Sequence, residues 1–375
     1  MKNIKTVSFS GELLEKMKAE GLSEEKKKIL RDAAEEAMSS PRYSVVDRMM
    51  KAASGNIHDY SSIGTYWWPN PDTPDGLPYI RRDGETTPAA KDPISYDKMC
   101  QKAFVLALAA YYFDDATYAK ASRDTIYDWH LNPETYMTPH AEYSQAIPGI
   151  CTGRGIGVID FSMRSFRIFD AVGILEAIGG IEPEVVAGLK EWYDDLADWL
   201  LTSENGLTED TEPNNHGTYY DVHLIASAAF TGRAALLKKV CNTAYERRVR
   251  CQIEPGGEQP LELARTRALA YSLSNIRAMM LISDMAANAG YTEFWAYDEK
   301  YGDIAIKKAF DYIYPYCVNP ETFPYQEIEY HTVLGSLYEM LIRMNAHFEG
   351  EGYDEKAEKL GVKADLGLWL TYPMK

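Results

Sequence analysis

The sequence predicts an all-α protein, an α/α toroid built as an incomplete barrel of helical hairpins with long cleft-lining loops. Two observations carry this. Apolar residues recur at helical spacing through most of the 375 residues, with no convincing strand pattern. The connections between long helical segments are mostly short, which sets sequence neighbours antiparallel in space. No heptad and no fixed-length repeat is present, so a coiled coil or a regular solenoid is a poorer fit.

The spacing predicts helices near 24–39, 98–113, 115–130, 160–179, 183–203, 216–230, 233–250, 262–289, 303–316 and 328–349. Their punctuation is readable: Gly179 and Gly180 end one helix, and Pro183 opens the next where its missing N–H costs nothing. In "EPNNHGTYYDVH", residues 212–223, Asn214 or Asn215 would cap the helix that follows. Three irregular stretches, 54–97, 131–158 and 251–261, are too long to be mere connections and are candidate functional loops. Without a composition break or a Ser/Gly/Pro linker, residues 1–375 read as one domain, with residues 1–40 as a peripheral helical arm.

Composition narrows the function. The 46% hydrophobic content suffices for a packed core, and the net charge of −17 argues against nucleic acid or an anionic membrane as partner. No apolar run is long enough to span a bilayer, so membrane insertion is not expected. The first residues lack the apolar centre of a signal peptide, which leaves room for a mature chain whose leader has been removed. Five scattered cysteines without a CxxC pair read as mostly free thiols. The 27 tyrosines and 7 tryptophans suit sugar rings, whose apolar faces are ringed by hydroxyls, although packing also consumes such residues.

Three segments carry chemistry. "HDYSSIGTYWWPNPDTPDGLPYIRRDGETTP" (58–88) brings Tyr66, Trp67 and Trp68 together among prolines, as either a pinned loop or an aromatic wall. "HAEYSQAIPGICTGRGIGVIDFSMR" (140–164) sets glycines around Arg154, with Glu142 and Gln145 beside it. Its GRGIG is not a dinucleotide fingerprint, because no strand precedes it and the third glycine is misplaced. "QPLELARTRALAYSLSNIR" (259–277) puts Arg267, Tyr271 and Asn275 on one helical stripe, with Arg265 off it unless Arg265 still belongs to the loop.

"NNHGTYYD", "YWWPNP", "IPGICTGRGIGVID" and "ELARTRALAY" together resemble the alginate lyase superfamily, more closely the branch that includes polysaccharide lyase family 38 than family 5. The resemblance spans roughly residues 55–345. It implies an α/α toroid that cleaves an anionic uronic acid polysaccharide or oligosaccharide by elimination, without an obligatory cofactor, in the periplasm or outside the cell. It places the family's asparagine and histidine on Asn215 and His216, and its tyrosine on Tyr271. Its arginine falls on Arg265 or Arg267, with Arg265 favoured as catalytic. Arg267, Arg154, Gln145, Glu142, Tyr66, Trp67, Trp68 and Tyr219 are then expected to bind substrate.

The residue types suit that chemistry. Elimination at a 4-linked uronate removes the C5 proton, α to the C6 carboxylate, and expels O4. Asn215 and an arginine would stabilise the enolate-like intermediate. Tyr271 would take the C5 proton and return it to O4, helped by an arginine that lowers its pKa, with His216 as a second base or a carboxylate holder. Mannuronate and glucuronate share the syn geometry that one tyrosine can serve, whereas guluronate requires anti elimination. No metal is required, and a hydrogen-bonding role for His216 and His223 outweighs a ligand role. The alternatives are a hydrolase using two of Glu142, Asp221, Glu258 and Glu262, or a non-catalytic carbohydrate-binding protein.

Overall fold

The computed structural model describes residues 4–92, 94–291, 293–330, 333–360 and 370. It is helical as expected. In chain order the helices are α1 (Gly11–Glu20), α2 (Glu24–Ser39), α3 (Tyr96–Phe113), α4 (Ala116–His130), α5 (Ile159–Ser162), α6 (Phe166–Ile178), α7 (Pro183–Thr202), α8 (Glu204–Thr211), α9 (Asn215–Thr231), α10 (Ala234–Ala244), α11 (Pro260–Leu263), α12 (Ala268–Asn288), α13 (Ala305–Val318), α14 (Val333–His347) and α15 (Tyr353–Leu360). The hairpins alternate. α3, α6, α9, α12 and α14 pack successively against one another, and each is followed by an outer partner, α4, α7, α10, α13 or α15.

The alternation follows from how much of each helix is apolar. Ten of the thirteen residues of α6 are buried, from Phe166 to Leu175, so this helix has no polar side to give to solvent. α7 instead buries one stripe, Val185, Val186, Leu189, Trp192, Tyr193, Leu196, Ala197 and Leu200, and leaves its charged face outside. The inner ring is the core. Three of its helices, α3, α9 and α12, bring their first turns to the cleft, and this is what lets their termini carry the site.

The N-terminal region is more than peripheral. Asp170 of α6 accepts from the backbone N–H of Val7 and Ser8 and from the Ser8 hydroxyl, while Asn288 of α12 and Arg343 of α14 donate to the carbonyls of Val7 and Ser8. Residues 7 and 8 therefore tie three inner helices together. Gly173 has a structural reason here: a Cβ would lie 1.7 Å from the Lys5 carbonyl oxygen.

Several expected helices are interrupted. The one expected at 160–179 is divided into α5 and α6, and the one at 233–250 ends in a π-helical stretch, Tyr245–Arg250. The helix expected at 262–289 breaks at residues 264–267, where Asp83 accepts from the Thr266 N–H and hydroxyl and Arg267 pairs with Glu327 in an isolated β-bridge. α8 and α15 escaped the sequence reading, α1 falls within the arm read as helical but was given no bounds, and residues 331 and 332 of the 328–349 helix lie outside the described residues.

The long loops carry short strands that periodicity could not reveal. β1 (Ser61–Ile63) pairs in parallel with β4 (Tyr143–Ala146), which binds the first two long loops to each other. β2 (Trp67–Trp68) and β3 (Ile80–Arg81) form a hairpin, as do β5 (Tyr297–Asp298) and β6 (Asp303–Ile304). Loops so joined stand over the inner helices as a wall.

Candidate active site

A cavity of about 780 Å³ opens between that wall and the mouths of the inner helices. The wall contributes Tyr66, Trp67, Arg81, Gln145 and Arg154, and the helices contribute Asn215, His216, Arg265 and Tyr271. These come from segments up to some two hundred residues apart. All four residues expected to be catalytic share one cavity.

The first turn of α9 supplies one side. Asn214 caps it, accepting from the His216 N–H at 2.9 Å, so Asn215 and His216 sit at the positive end of the helix dipole. Buried Glu262, at the end of α11, accepts from the Asn215 backbone N–H at 2.7 Å and from its amide nitrogen, 3.0 Å from each carboxylate oxygen. Two oxygens of one carboxylate subtend a far narrower angle than the two N–H bonds of an amide. One hydrogen therefore serves both oxygens, and the second is left for a ligand.

His216 is held from behind by Glu209 of α8. Its Nδ1 lies 3.2 Å from both oxygens of this fully buried carboxylate. The Nδ1–H donates to Glu209, which leaves Nε2 as the free ring nitrogen. Burial alone would lower the His216 pKa, but the charge and hydrogen bond of Glu209 raise it above its ordinary value.

The opposite side is tyrosine and arginine. Tyr271, in the first turn of α12, exchanges a hydrogen bond with the Tyr66 hydroxyl. The Arg265 guanidinium lies over the Tyr271 ring, 4.2 Å from its centroid. Arg265 is in the break between α11 and α12 and is fixed by Asp83, its Nη2 donating at 2.9 Å. Burial would raise the Asp83 pKa, but Arg265, Arg81 and Thr266 hold it well below the usual carboxylate range. Tyr271 runs against expectation. Burial, then Tyr66, push its phenol well above the ordinary range, and Arg265 only partly opposes them, so the resting group is a neutral phenol.

The expected substrate-binding residues divide. Tyr66, Trp67, Arg154 and Gln145 line the cavity. Trp68 does not; its indole N–H donates to the Glu85 carbonyl and Arg82 stacks on its ring. Arg267 stands at the N-cap of α12, paired with Glu329 at 2.9 Å and outside the lining. Asn275, further along its stripe, is buried against Gln252 and Gln259. Glu142 is exposed away from the cavity. Tyr219 is a correction: it is fully buried, with its hydroxyl bonded to Ser274 and Arg277, because only the first turn of α9 reaches the cleft. Tyr220, next to it, is likewise turned inward, with its hydroxyl on the Leu200 carbonyl. Sequence reasoning missed Glu209 and Asp83, and it weighed Glu262 only as an acid for hydrolysis, not as the carboxylate that holds Asn215.

None of the acids weighed for hydrolysis lines this cavity: Asp221 is locked to Arg248, and Glu262 lies beneath Asn215. The loop at 251–261 contributes nothing to it and borders a separate depression of about 150 Å³. Among the described residues, no group of three or more His, Cys, Asp or Glu is placed to hold a metal ion. No helix among them is long and apolar enough to cross a membrane.

The fold and the family match together make this chain a polysaccharide lyase. The sequence pattern of the family described as alginate lyase matches residues 44–323, and the chain belongs to that family. A crystal structure of an alginate lyase from Bacteroides ovatus superposes with a TM-score of 0.91 at 34% identity, covering 99% of this chain and 100% of that one. Two structures of alginate lyase A1-III share the fold alone. One, a variant complexed with a tetrasaccharide, has a TM-score of 0.56 at 13% identity over 92% of this chain and 88% of that one. The other, from Sphingomonas species A1, has a TM-score of 0.52 at 12% identity over 91% and 89%. Among curated proteins none matches.

Proposed function

We propose that the protein cleaves 4-linked uronic acid polysaccharide, mannuronate-rich alginate or glucuronan, by β-elimination, leaving a 4,5-unsaturated uronate at the new end. The observation that carries this is the convergence of Asn215, His216, Arg265 and Tyr271 in one cavity, with cations and a spare amide N–H ready for a carboxylate. The family and the Bacteroides ovatus alginate lyase support alginate as the substrate. A periplasmic or secreted location fits such a polymer.

In this reading the C6 carboxylate is received by the spare Asn215 N–H, His216 and Arg265, which stabilise the charge that builds up as C5 loses its proton. Tyr271, protonated at rest, gives its proton to the leaving O4. With mannuronate or glucuronate, whose C5–H and O4 lie on one face, the small phenolate fraction of Tyr271 can take the C5 proton and pass it to O4. Where the two lie on opposite faces, the free Nε2 of His216 is the base, its basicity raised by Glu209. Either route needs the same number of protons on the Tyr271–His216 pair and gives the same pH dependence. Substrate stereochemistry, rather than pH, separates them.

The test is to incubate the protein with polymannuronate, polyguluronate, glucuronan and a neutral glycan and follow ultraviolet absorbance. Absorbance growing with polymannuronate or glucuronan and absent with the neutral glycan supports the reading. New reducing ends without absorbance would mean hydrolysis.

A further inference from the structure

The cleft uses only half of the motif at the mouth of α9. In "NNHGTYYD", Asn215 and His216 line the cavity, while Gly217 and Asp221 do not. These two are four residues apart, on one stripe of the helix, and both meet the side chain of Arg248. A Cβ on Gly217 would lie 2.4 Å from Arg248 Nη1, and Asp221 accepts from Nε at 2.8 Å and from Nη2 at 3.2 Å. The guanidinium is thus laid into α9 one face away from the substrate.

The same guanidinium also holds α8. Its Nη2 donates to the Asp210 carbonyl at 2.9 Å and to the Asp210 carboxylate at 3.0 Å, and its Nη1 donates to the Glu212 carbonyl at 3.4 Å. These carbonyls belong to the C-terminal end of α8, where the last oxygens have no helical partner and a cation is favoured. With eight residues α8 is too short to hold its shape unaided. Ser203 caps its start, accepting from the Gly206 N–H at 3.0 Å. Its end rests on Arg248 and on Arg247, which donates to the Asp210 carboxylate at 2.5 Å. The residue before Asp210 is Glu209, the carboxylate that meets His216.

That meeting tolerates little displacement. Both Glu209 oxygens stand 3.2 Å from His216 Nδ1, the long end of the range for an N–H···O bond, so a small slide of α8 along α9 would break it. Glu262 of α11 and Glu212 in the α8–α9 connection also bear on His216 through their charge, but among the described residues only Glu209 is bonded to its ring. Stability alone does not account for Arg248. Burying it with Asp221 costs desolvation that two apolar side chains of similar volume would avoid. Arg248 reaches both helices from the π-helical stretch Tyr245–Arg250, a conformation that is rare and frequent at functional sites.

We infer that Arg248 is a positioning residue for the Glu209–His216 pair, one guanidinium that bonds α8 through Asp210 and α9 through Asp221 and so sets the carboxylate against the histidine. Gly217 and Asp221 are the seat that α9 provides for it. What the pair does to a substrate rests on the eliminative reading; that Arg248 sets the pair does not. Arg248 touches no substrate and acts only through the two helices it joins.

The experiment follows the imidazole nitrogens by NMR across a pH series, with the His216 signal assigned by its loss in His216→Gln, a readout that needs no substrate. Arg248→Lys keeps a cation beside Asp221 but lacks the planar fork that holds Asp221 and Asp210 together. His216 is expected to titrate at a pH about 1 lower than in wild type, as it loses the Glu209 charge, and kcat/KM to fall about tenfold. The double variant Arg248→Gln/Asp221→Asn removes both charges, leaves neither buried alone, and should show the same shift. A role in stability alone would lower Tm and leave the His216 titration at its wild-type position. That titration in either folded variant would overturn the inference. A shifted titration in a protein that makes no unsaturated uronate from any polymer would keep the positioning role and remove the lyase reading instead.

Discussion

Two histidines on α9, one at its mouth and one two turns inside, have their pKa values pushed in opposite directions. His216 at the cleft meets the buried carboxylate of Glu209, and its pKa is raised despite burial. His223 meets only the Ser165 hydroxyl at 2.7 Å, its Nε2 has no partner, and burial pushes it down to about 4. One side chain type on one helix thus meets a buried carboxylate at the cleft and is kept as a neutral core group in the middle. The neighbour decides, and the neighbour comes from another element.

The largest effect expected from this contrast is on turnover. His216→Ala should lower kcat/KM by about a hundredfold or more, the usual scale for a positioned acid–base group. His223→Gln should leave it within a few-fold of wild type. Comparable losses in folded proteins would break the comparison.

Glu209→Gln sharpens it. Gln keeps the shape but removes the charge that outweighs burial, so the His216 pKa should fall. Activity is expected to rise with pH through the His216 pKa, and this limb should move to lower pH in the variant, with kcat/KM reduced about tenfold at its optimum. An unmoved limb in a pH series would show that Glu209 does not set the state of His216.

The smallest effect concerns stability. With a folded pKa of about 4 against roughly 6.5 in the unfolded chain, His223 takes up a proton on unfolding between those values. The unfolded state binds more protons there, so stability rises with pH. The contribution is complete above pH ~6.5 and lost as pH falls toward 4, at most about 3 kcal/mol. His223→Gln should flatten that part of the Tm–pH curve relative to wild type, and an unchanged slope would mean His223 protonates freely in the folded state.

The same contrast marks what could be read from sequence. The cap at Asn214, the placement of Asn215 and His216 in the first turn of α9, and the helical hairpins follow from local patterns that the chain writes in consecutive residues. The resemblance added Tyr271 and Arg265, and the structure brings both to the same cavity. Glu209 and Asp83 had no local signature, and Glu262 was read only as an acid for hydrolysis, because the work of all three depends on which donor the fold places opposite them. Tyr219 went wrong for a related reason. Three residues beyond His216 is the same helix face, but that face has already turned into the core by the time the helix leaves the cleft. The expected lowering of the Tyr271 pKa failed on magnitude, since Arg265 lies over the ring while burial acts on the whole phenol.

The central claim is that Tyr271 delivers the proton to the leaving oxygen. Tyr271→Phe keeps the ring under Arg265 and removes only the hydroxyl, so the direct measurement is steady-state production of unsaturated uronate from the preferred polymer by this variant. The account predicts a fall in kcat of about a hundredfold or more with KM nearly unchanged. A folded variant that retains near-wild-type kcat would contradict it.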